Sequence, residues 1–404
     1  MAKVEYRKCT QHSVFFSGLL GLHILVVATG LGAALYMEHY GHIVTGMSNQ
    51  IVWGTPHVFA VFLIVAASGA LNVASFSSVF NRLAYKPYAR LSGLLAIALL
   101  AGGLAVLVLD LGRPDRLIVA MTTYNFKSIF AWNIYLYTGF VGVVAAYLFV
   151  MMDRQVSRSA LPTRIVGGFA FFWRFALTTG TGSIFGFLIA RDAYSAAVMA
   201  PLFIAASFLY GLAFTVLVLL MMSREVRLAL IDEEMLQKFR GLFILFSLAV
   251  LYLTALHHVT KLYAAEYRGV EAFLLRDGGI YPAIFWLGQI GLGNLLPLGI
   301  LLTWGGGRHA WQAVAVAAIL FLIGGVAHMY VTIIGGQAFP LRLFPGMEVS
   351  SSFQDGAVAH YSPSLPEVLL GVSGISIAML LTGFALKVLP FLPVPAGGRP
   401  LRAS

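Results

Sequence analysis

The sequence predicts an all-α integral membrane protein with about ten transmembrane helices. Hydrophobic residues fill 59% of its 404 positions and charged residues 10%, with a mean hydropathy of +0.87, far from the composition of a water-soluble domain. Apolar runs long enough to cross a hydrocarbon core about 30 Å thick recur along the whole chain. Lys and Arg fall in the short turns between those runs. The net charge of +10 therefore reflects membrane topology rather than a nucleic-acid surface, and no nucleic-acid partner is expected.

The runs lie at about 13–37, 52–80, 91–111, 128–152, 165–190, 197–222, 240–264, 280–304, 310–335 and 366–390. The second is long for one crossing, and its polar end, Ser75 to Ser78, is expected to project from the membrane. Residues 1–12 are polar and the first run is long enough to span, so no cleavable leader is expected. With the N-terminus inside, 17 Lys and Arg lie on the inner side and 8 on the outer, with Arg174 within a span. Both termini, residues 1–12 and the tail 391–404, are therefore expected in the cytoplasm, with the membrane domain at 13–390 between them. The outer segment 336–365 is long and rich in Pro, Gly and Ser, so it either carries function, meets a partner or is a simple linker. The inner stretch Ser223 to Arg240 reads as a short amphipathic surface helix.

Ionisable residues gather toward the outer ends of the spans. His57 follows Pro56 at the start of the second, and Asp110 ends the third, followed by Arg113. Arg191 and Asp192 follow the fifth. His257, His258 and Lys261 lie toward the outer end of the seventh, and His328 lies in the outer half of the ninth. Such groups are costly at membrane depth and mark sites. A plainer account stands beside each. His57 can rest at the interface, and Asp110 with Arg113 can form a local ion pair. His257 and His258 point to different helix faces, so one of them at most is expected to face a site, with Lys261 four residues beyond His257. Arg174 lies about ten residues into its span and either pairs there or reaches its head back to the interface. His23 reads as a helix contact, and Trp53, Trp132, Tyr135 and Tyr137 as belt or packing aromatics that would also suit a flat ring.

The chain has one cysteine, Cys9, so it can build neither a disulfide, nor a cysteine-ligated iron-sulfur cluster, nor a CxxCH haem attachment on its own. Electrons passing through it need metal centres on another subunit. Haem held by His57, His257 and His328 is the weaker use of these histidines, because no repeated histidine pair serves two sites. A quinone fits better, since it needs a slot near the bilayer edge, a histidine or carboxylate to exchange protons, and a path to water. His57 and Asp110 supply that chemistry, and no metal ligand set is expected.

The run DLGRPDR (Asp110 to Arg116), the upstream Trp53-Gly54 at a span start and the downstream KSIFAWNIY (Lys127 to Tyr135) together resemble the NrfD-like family. Its members are membrane subunits of polysulfide reductase, tetrathionate reductase, uptake hydrogenase and the sulfur-metabolism Dsr complex, and the ten-span length looks most like the last two. The resemblance is specific over about residues 50–140. It implies two four-helix bundles, about 52–190 and 197–335, with flanking helices at 13–37 and 366–390. It further implies a quinone (menaquinone or ubiquinone) bound without haem, in a bacterial cytoplasmic membrane. A ferredoxin-like iron-sulfur subunit would dock on the periplasmic face and lead to a molybdopterin or other redox subunit or a multihaem cytochrome. His57 matches the family's quinone-contacting histidine, whereas the neighbouring asparagine of that motif is replaced here by Gly54 and Thr55. In this reading His57 and Asp110 carry the proton chemistry, with Tyr124, Lys127, Ser128 and Trp132 lining the quinone site. Arg174, Asp192, His257, His258, Lys261 and His328 form a proton path. The rival readings are a secondary transporter and a purely structural membrane anchor.

Overall fold

The computed structural model describes residues 4–11, 13–153, 160–341 and 356–394. Ten long helices make up its body: α1 Val14–Tyr40, α2 Thr55–Ser78, α3 Leu83–Leu109, α4 Ile129–Met152, α5 Ala160–Gly186, α6 Met199–Val226, α7 Glu233–Tyr263, α8 Ile280–Trp304, α9 Ala310–Ala338 and α10 Leu365–Val388. Nine of them, all but α5, are long and apolar enough to cross a membrane among the described residues. The predicted all-α membrane architecture is what the structure contains, apart from one minimal antiparallel pairing of Tyr6–Arg7 with Leu392–Pro393 that ties the two ends of the chain together.

Helices α2, α3, α4 and α5 pack as one group of four, and α6, α7, α8 and α9 as a second. The groups meet where α2 lies against α6 and α9 and where α5 lies against α6. Helix α10 packs on α2 and α3, and α1 packs on α10, leaving much of α1 exposed. By contrast α2 is almost wholly buried, which its apolar residues on every side require. Backbones touch where α2 crosses α6: a side chain at Gly211 would strike the backbone of Gly69 and Ala70.

Local chemistry sets the helix starts. Ser13 accepts the Phe16 N–H at 3.0 Å and Asp232 accepts that of Met235 at 2.7 Å, each capping a first turn. Pro56 and Pro366 stand in the first turns of α2 and α10, where their missing N–H costs nothing.

Helix α2 is interrupted at Leu71, and its last turns pack against α3 and α5, burying Ser75 and Ser78. Ser92 of α3 bridges that interruption, donating to the Ala70 carbonyl at 2.7 Å and accepting from the Ala74 N–H at 3.1 Å. One expectation is corrected: Ser223 to Arg240 is not a surface helix. Arg227, at φ 53°, turns the chain, and Asp232 then starts α7, so the acidic residues at 233 and 234 are its first turn. Of the long segment 336–365, residues 342–355 lie outside the described residues.

Candidate functional site

The site is built where the chain enters α2. Side chains from distant elements grip the backbone there. Gln337, at the end of α9, accepts the N–H groups of Val52 and Trp53 at 3.0 and 3.1 Å and donates to the Trp53 carbonyl at 3.0 Å. Arg191, from the connection after α5, donates to the carbonyls of Gln337 and Gln50 at 2.7 and 2.6 Å. Tyr361 accepts the Thr55 N–H at 2.7 Å and donates to Glu367 at 2.6 Å. Burial and that carboxylate push the Tyr361 phenol well above its ordinary range, so it remains a donor.

This frame sets two rings face to face. The Trp53 indole lies parallel to the His57 imidazole at 8°, with centroids 5.2 Å apart. Phe130 from α4 and Phe185 from α5 close on the indole at 5.7 and 5.9 Å. Neither ring nitrogen of His57 has a hydrogen-bond partner among the described residues.

Asp110 ends α3 in the neighbouring layer. Ala60, Val106 and Leu370 pack together, and one turn beyond them stand His57, Asp110 and Glu367. Oδ1 of Asp110 is buried without a hydrogen-bond partner among the described residues. Glu367 is fully buried but satisfied, accepting from the N–H groups of Gly46 and Ser364 at 2.8 Å each and from Tyr361. Arg113 does not pair with Asp110. It forms a bidentate contact with Asp115 at 2.9 and 3.0 Å, because the chain leaves the helix at Asp110 and turns back at Pro114.

The other residues expected at this site lie to one side. Tyr124 packs on Phe126 and Tyr135, at ring distances of 4.5 and 5.1 Å, and Trp132 donates to the Phe126 carbonyl at 2.8 Å while 48% exposed. Lys127 is exposed, and Ser128 precedes the first turn of α4. Their link to the Trp53–His57 stack is Phe130, two residues beyond Ser128.

Arg174 is fully buried in an aromatic cage, its guanidinium 4.1 Å from the Phe175 ring centroid, 4.7 Å from Phe208 and 5.2 Å from Phe171. One long contact of 3.5 Å reaches the Ser68 carbonyl, while Nε and Nη2 have no partner. The head therefore stays in the helix interior instead of reaching back to the interface.

In the second group, His257 and His258 both line one cavity of about 30 Å³, with Thr254, Gln289 and His328. The expectation that the two histidines face different surroundings does not hold, since both line the same cavity. His258 Nδ1 lies 2.6 Å from Glu271 Oε2, and His328 Nδ1 lies 3.0 Å from the Tyr210 hydroxyl. Lys261 donates to the carbonyls of Asp192 and Tyr194. Asp192 thus meets this group through its backbone, whereas the residues around Arg174 belong to α2, α5 and α6. His23 contacts Ser376 of α10 at 3.1 Å, the helix contact expected of it.

Gln337, Tyr361, Glu367 and Glu271 escaped the sequence reading. A carboxylate three residues past Ser364, at the start of a helix, reads as a capping residue, and only its burial under Gly54 shows more.

The fold and site define a polytopic α-helical membrane protein with an aromatic-walled histidine at the start of α2. The chain belongs to the family described as "Polysulphide reductase, NrfD", which matches residues 43–341. It is 28% identical to the "Hdr-like menaquinol oxidoreductase integral membrane subunit" of Archaeoglobus fulgidus, over 96% of this chain and 97% of that one. It is 27% identical to the "Putative dimethyl sulfoxide reductase membrane subunit" of Halobacterium salinarum, covering 92% and 91% of the two chains. With a polysulfide reductase chain of Wolinella succinogenes the identity is 24%, over 72% of this protein and 96% of that one.

Proposed function

We propose that this chain is the quinone-binding membrane subunit of a multi-subunit respiratory oxidoreductase, exchanging electrons between a membrane quinone pool and a periplasmic iron-sulfur subunit. One observation carries the reading: an imidazole stacked under Trp53 whose ring nitrogens have no hydrogen-bond partner among the described residues, with a buried, unpartnered carboxylate oxygen at the adjoining end of α3. The relatives' names support it, since each denotes one component of a reductase or of a menaquinol oxidoreductase.

The residues present fit a quinone. Trp53, Phe130 and Phe185 offer a flat apolar wall, and His57 and Asp110 offer polar atoms in want of partners. When bound, menaquinone or ubiquinone supplies two-electron, two-proton redox chemistry in a membrane-soluble ring. His57 would hold a ring oxygen through an imidazole nitrogen and exchange a proton at that atom. Asp110 would take up or return that proton at Oδ1. Tyr124, Lys127, Ser128 and Trp132 would form the outer wall, nearest the partner subunit. Gln337, Arg191 and Tyr361 act through Trp53 and Thr55 and are positioning residues.

A proton path through the second group is the finer part of this proposal. Its support is the cavity shared by His257, His258 and His328, large enough for about one or two waters. Arg174, Asp192 and Lys261 would set the field around it. Unchanged proton uptake per quinol in vesicles carrying His257→Ala would remove this part.

The proposal places both termini in the cytoplasm of a bacterial cell and the His57 end of the helices toward the periplasm. Purifying the intact complex from native membranes tests it. A cysteine-rich ferredoxin-like partner, and quinol-linked turnover that collapses in His57→Ala, are the expected results. Full turnover in His57→Ala would overturn the site, and a monodisperse preparation with no redox partner would favour a transporter.

A further inference from the structure

Glu271 reaches the second helix group from outside the ten long helices. The connection between α7 and α8 folds into the short helix Arg268–Ala272 and a π turn, Phe273–Asp277. This turns the Glu271 side chain inward, where it is fully buried. Its Oε2 meets His258 Nδ1, while Oε1 is buried with no hydrogen-bond partner among the described residues, as is Nδ1 of His257. Ligand atoms of His257, His258 and Glu271 all lie within 4.8 Å of one another, and the cavity of about 30 Å³ opens beside both histidines.

We propose that His257, His258 and Glu271 bind a divalent transition-metal cation of the zinc class, with a water in the cavity as fourth ligand. Two imidazoles and one carboxylate are the donor set such a cation prefers when one position is left open. Calcium and magnesium need more oxygen ligands than this cluster has, and no thiolate is present for a softer ion. The cation would occupy the two buried atoms that now lack partners.

Four-coordinate zinc holds ligand atoms about 3.3 Å apart, given bonds near 2.0–2.1 Å. The cluster therefore closes by small side-chain movements. The 2.6 Å contact between His258 and Glu271 opens, and its proton leaves as the cation enters. His258 keeps 13% of its side chain exposed, which gives an approach. Lys261, four residues past His257 on α7, donates from its ammonium to the carbonyls of Asp192 and Tyr194 and lies 4.1 Å from the Tyr267 ring centroid. A bound ion would tie α7 to the connection that follows it.

This inference concerns the helix group that the proposed quinone site does not use; a cation on His257 and His258 and a proton path through the same imidazoles exclude one another, and the test reads binding without turnover. Full-length protein, purified in detergent and stripped with chelator, is titrated with Zn²⁺ against a chromophoric chelator, and with Co²⁺ by its visible d–d absorption. One equivalent per chain is expected, with the bands of four-coordinate Co²⁺. In His257→Ala, His258→Ala and Glu271→Gln the affinity should fall at least ~100-fold, and in His23→Ala it should hold. If a cluster variant fails to fold, X-ray absorption at the zinc edge of the wild type decides, with scattering from two imidazoles expected. No stoichiometric binding by the wild type, binding unchanged in the folded cluster variants, or a zinc spectrum without imidazole scattering would each overturn the site.

Discussion

Trp53 and His57 lie four residues apart with their rings parallel, and a glutamine 284 residues further along the chain holds the backbone of Trp53 and its neighbour at three points. The stacked pair is a product of long-range packing. Residues 52–54 precede the helix and would be free to move without Gln337 and Tyr361.

Removing the indole should weaken ligand binding without unfolding the protein. Aromatic stacking is worth about 0.5–1.5 kcal/mol, roughly two- to tenfold in affinity. Trp53→Ala is expected to raise the KM for quinol by about that factor, with a smaller change in kcat. Steady-state assays of the intact complex check this, and Trp53→Phe should recover part of the loss.

Asp110→Asn separates chemistry from structure. A buried carboxylate oxygen without a partner costs stability, so the neutral isostere should leave the melting temperature unchanged or raise it. Turnover should fall at least ~10-fold, because an amide cannot take up the proton. A lower melting temperature with unchanged turnover would show that Asp110 serves the fold alone.

Glu367 is predicted to be structural. It accepts three hydrogen bonds and holds Gly46, Ser364 and Tyr361 against the start of α2. Hydrogen bonds to charged groups contribute about 1.5–3 kcal/mol each when broken at a buried site. Glu367→Gln should therefore cost at least ~2 kcal/mol in thermal unfolding, since an amide NH2 must face a donor.

The cage around Arg174 predicts coupling between a cation and rings rather than between opposite charges. A double-mutant cycle of Arg174→Met with Phe208→Leu should give about 0.5–2 kcal/mol of coupling, read by unfolding of the detergent-solubilised protein. Arg174→Met alone is expected to be neutral or stabilising, because it removes a buried charge with two unpartnered nitrogen atoms. A loss of proton uptake in that variant would link the cage to the proposed path.

The contact between the two helix groups should be intolerant of a single methyl. A Cβ at Gly211 meets the backbone of α2 at Gly69 and Ala70, which cannot yield as a flexible side chain would. Gly211→Ala is expected to destabilise by about 1–3 kcal/mol or more, whereas Gly142→Ala, with open space around it, should stay within ~0.5 kcal/mol.

The helices were legible in the sequence because a bilayer demands about 20 apolar residues per crossing and admits no unsatisfied backbone. His57 and Asp110 were legible for the same reason, as polar residues at the ends of apolar runs, and His23 could be read as a helix contact. Composition and run length are properties that each segment carries alone. Which polar atoms meet is a property of packing between segments far apart in the chain. Gln337 against Trp53, Tyr361 and Glu367 against Gly54 and Thr55, and Glu271 beside His258 all arise that way. Arg113 shows the limit from the other side, since the spacing that suggested Asp110 also allowed Asp115, and the turn at Pro114 chose between them. The sequence alone determined that this protein crosses a membrane about ten times and carries ionisable groups near one end of its spans. Only the tertiary structure decided which of those groups are satisfied and which, like Asp110 and His257, are left with a buried atom in need of a partner. The physical reason is that burial is set segment by segment, whereas hydrogen-bond satisfaction depends on what every neighbouring helix brings to the same point.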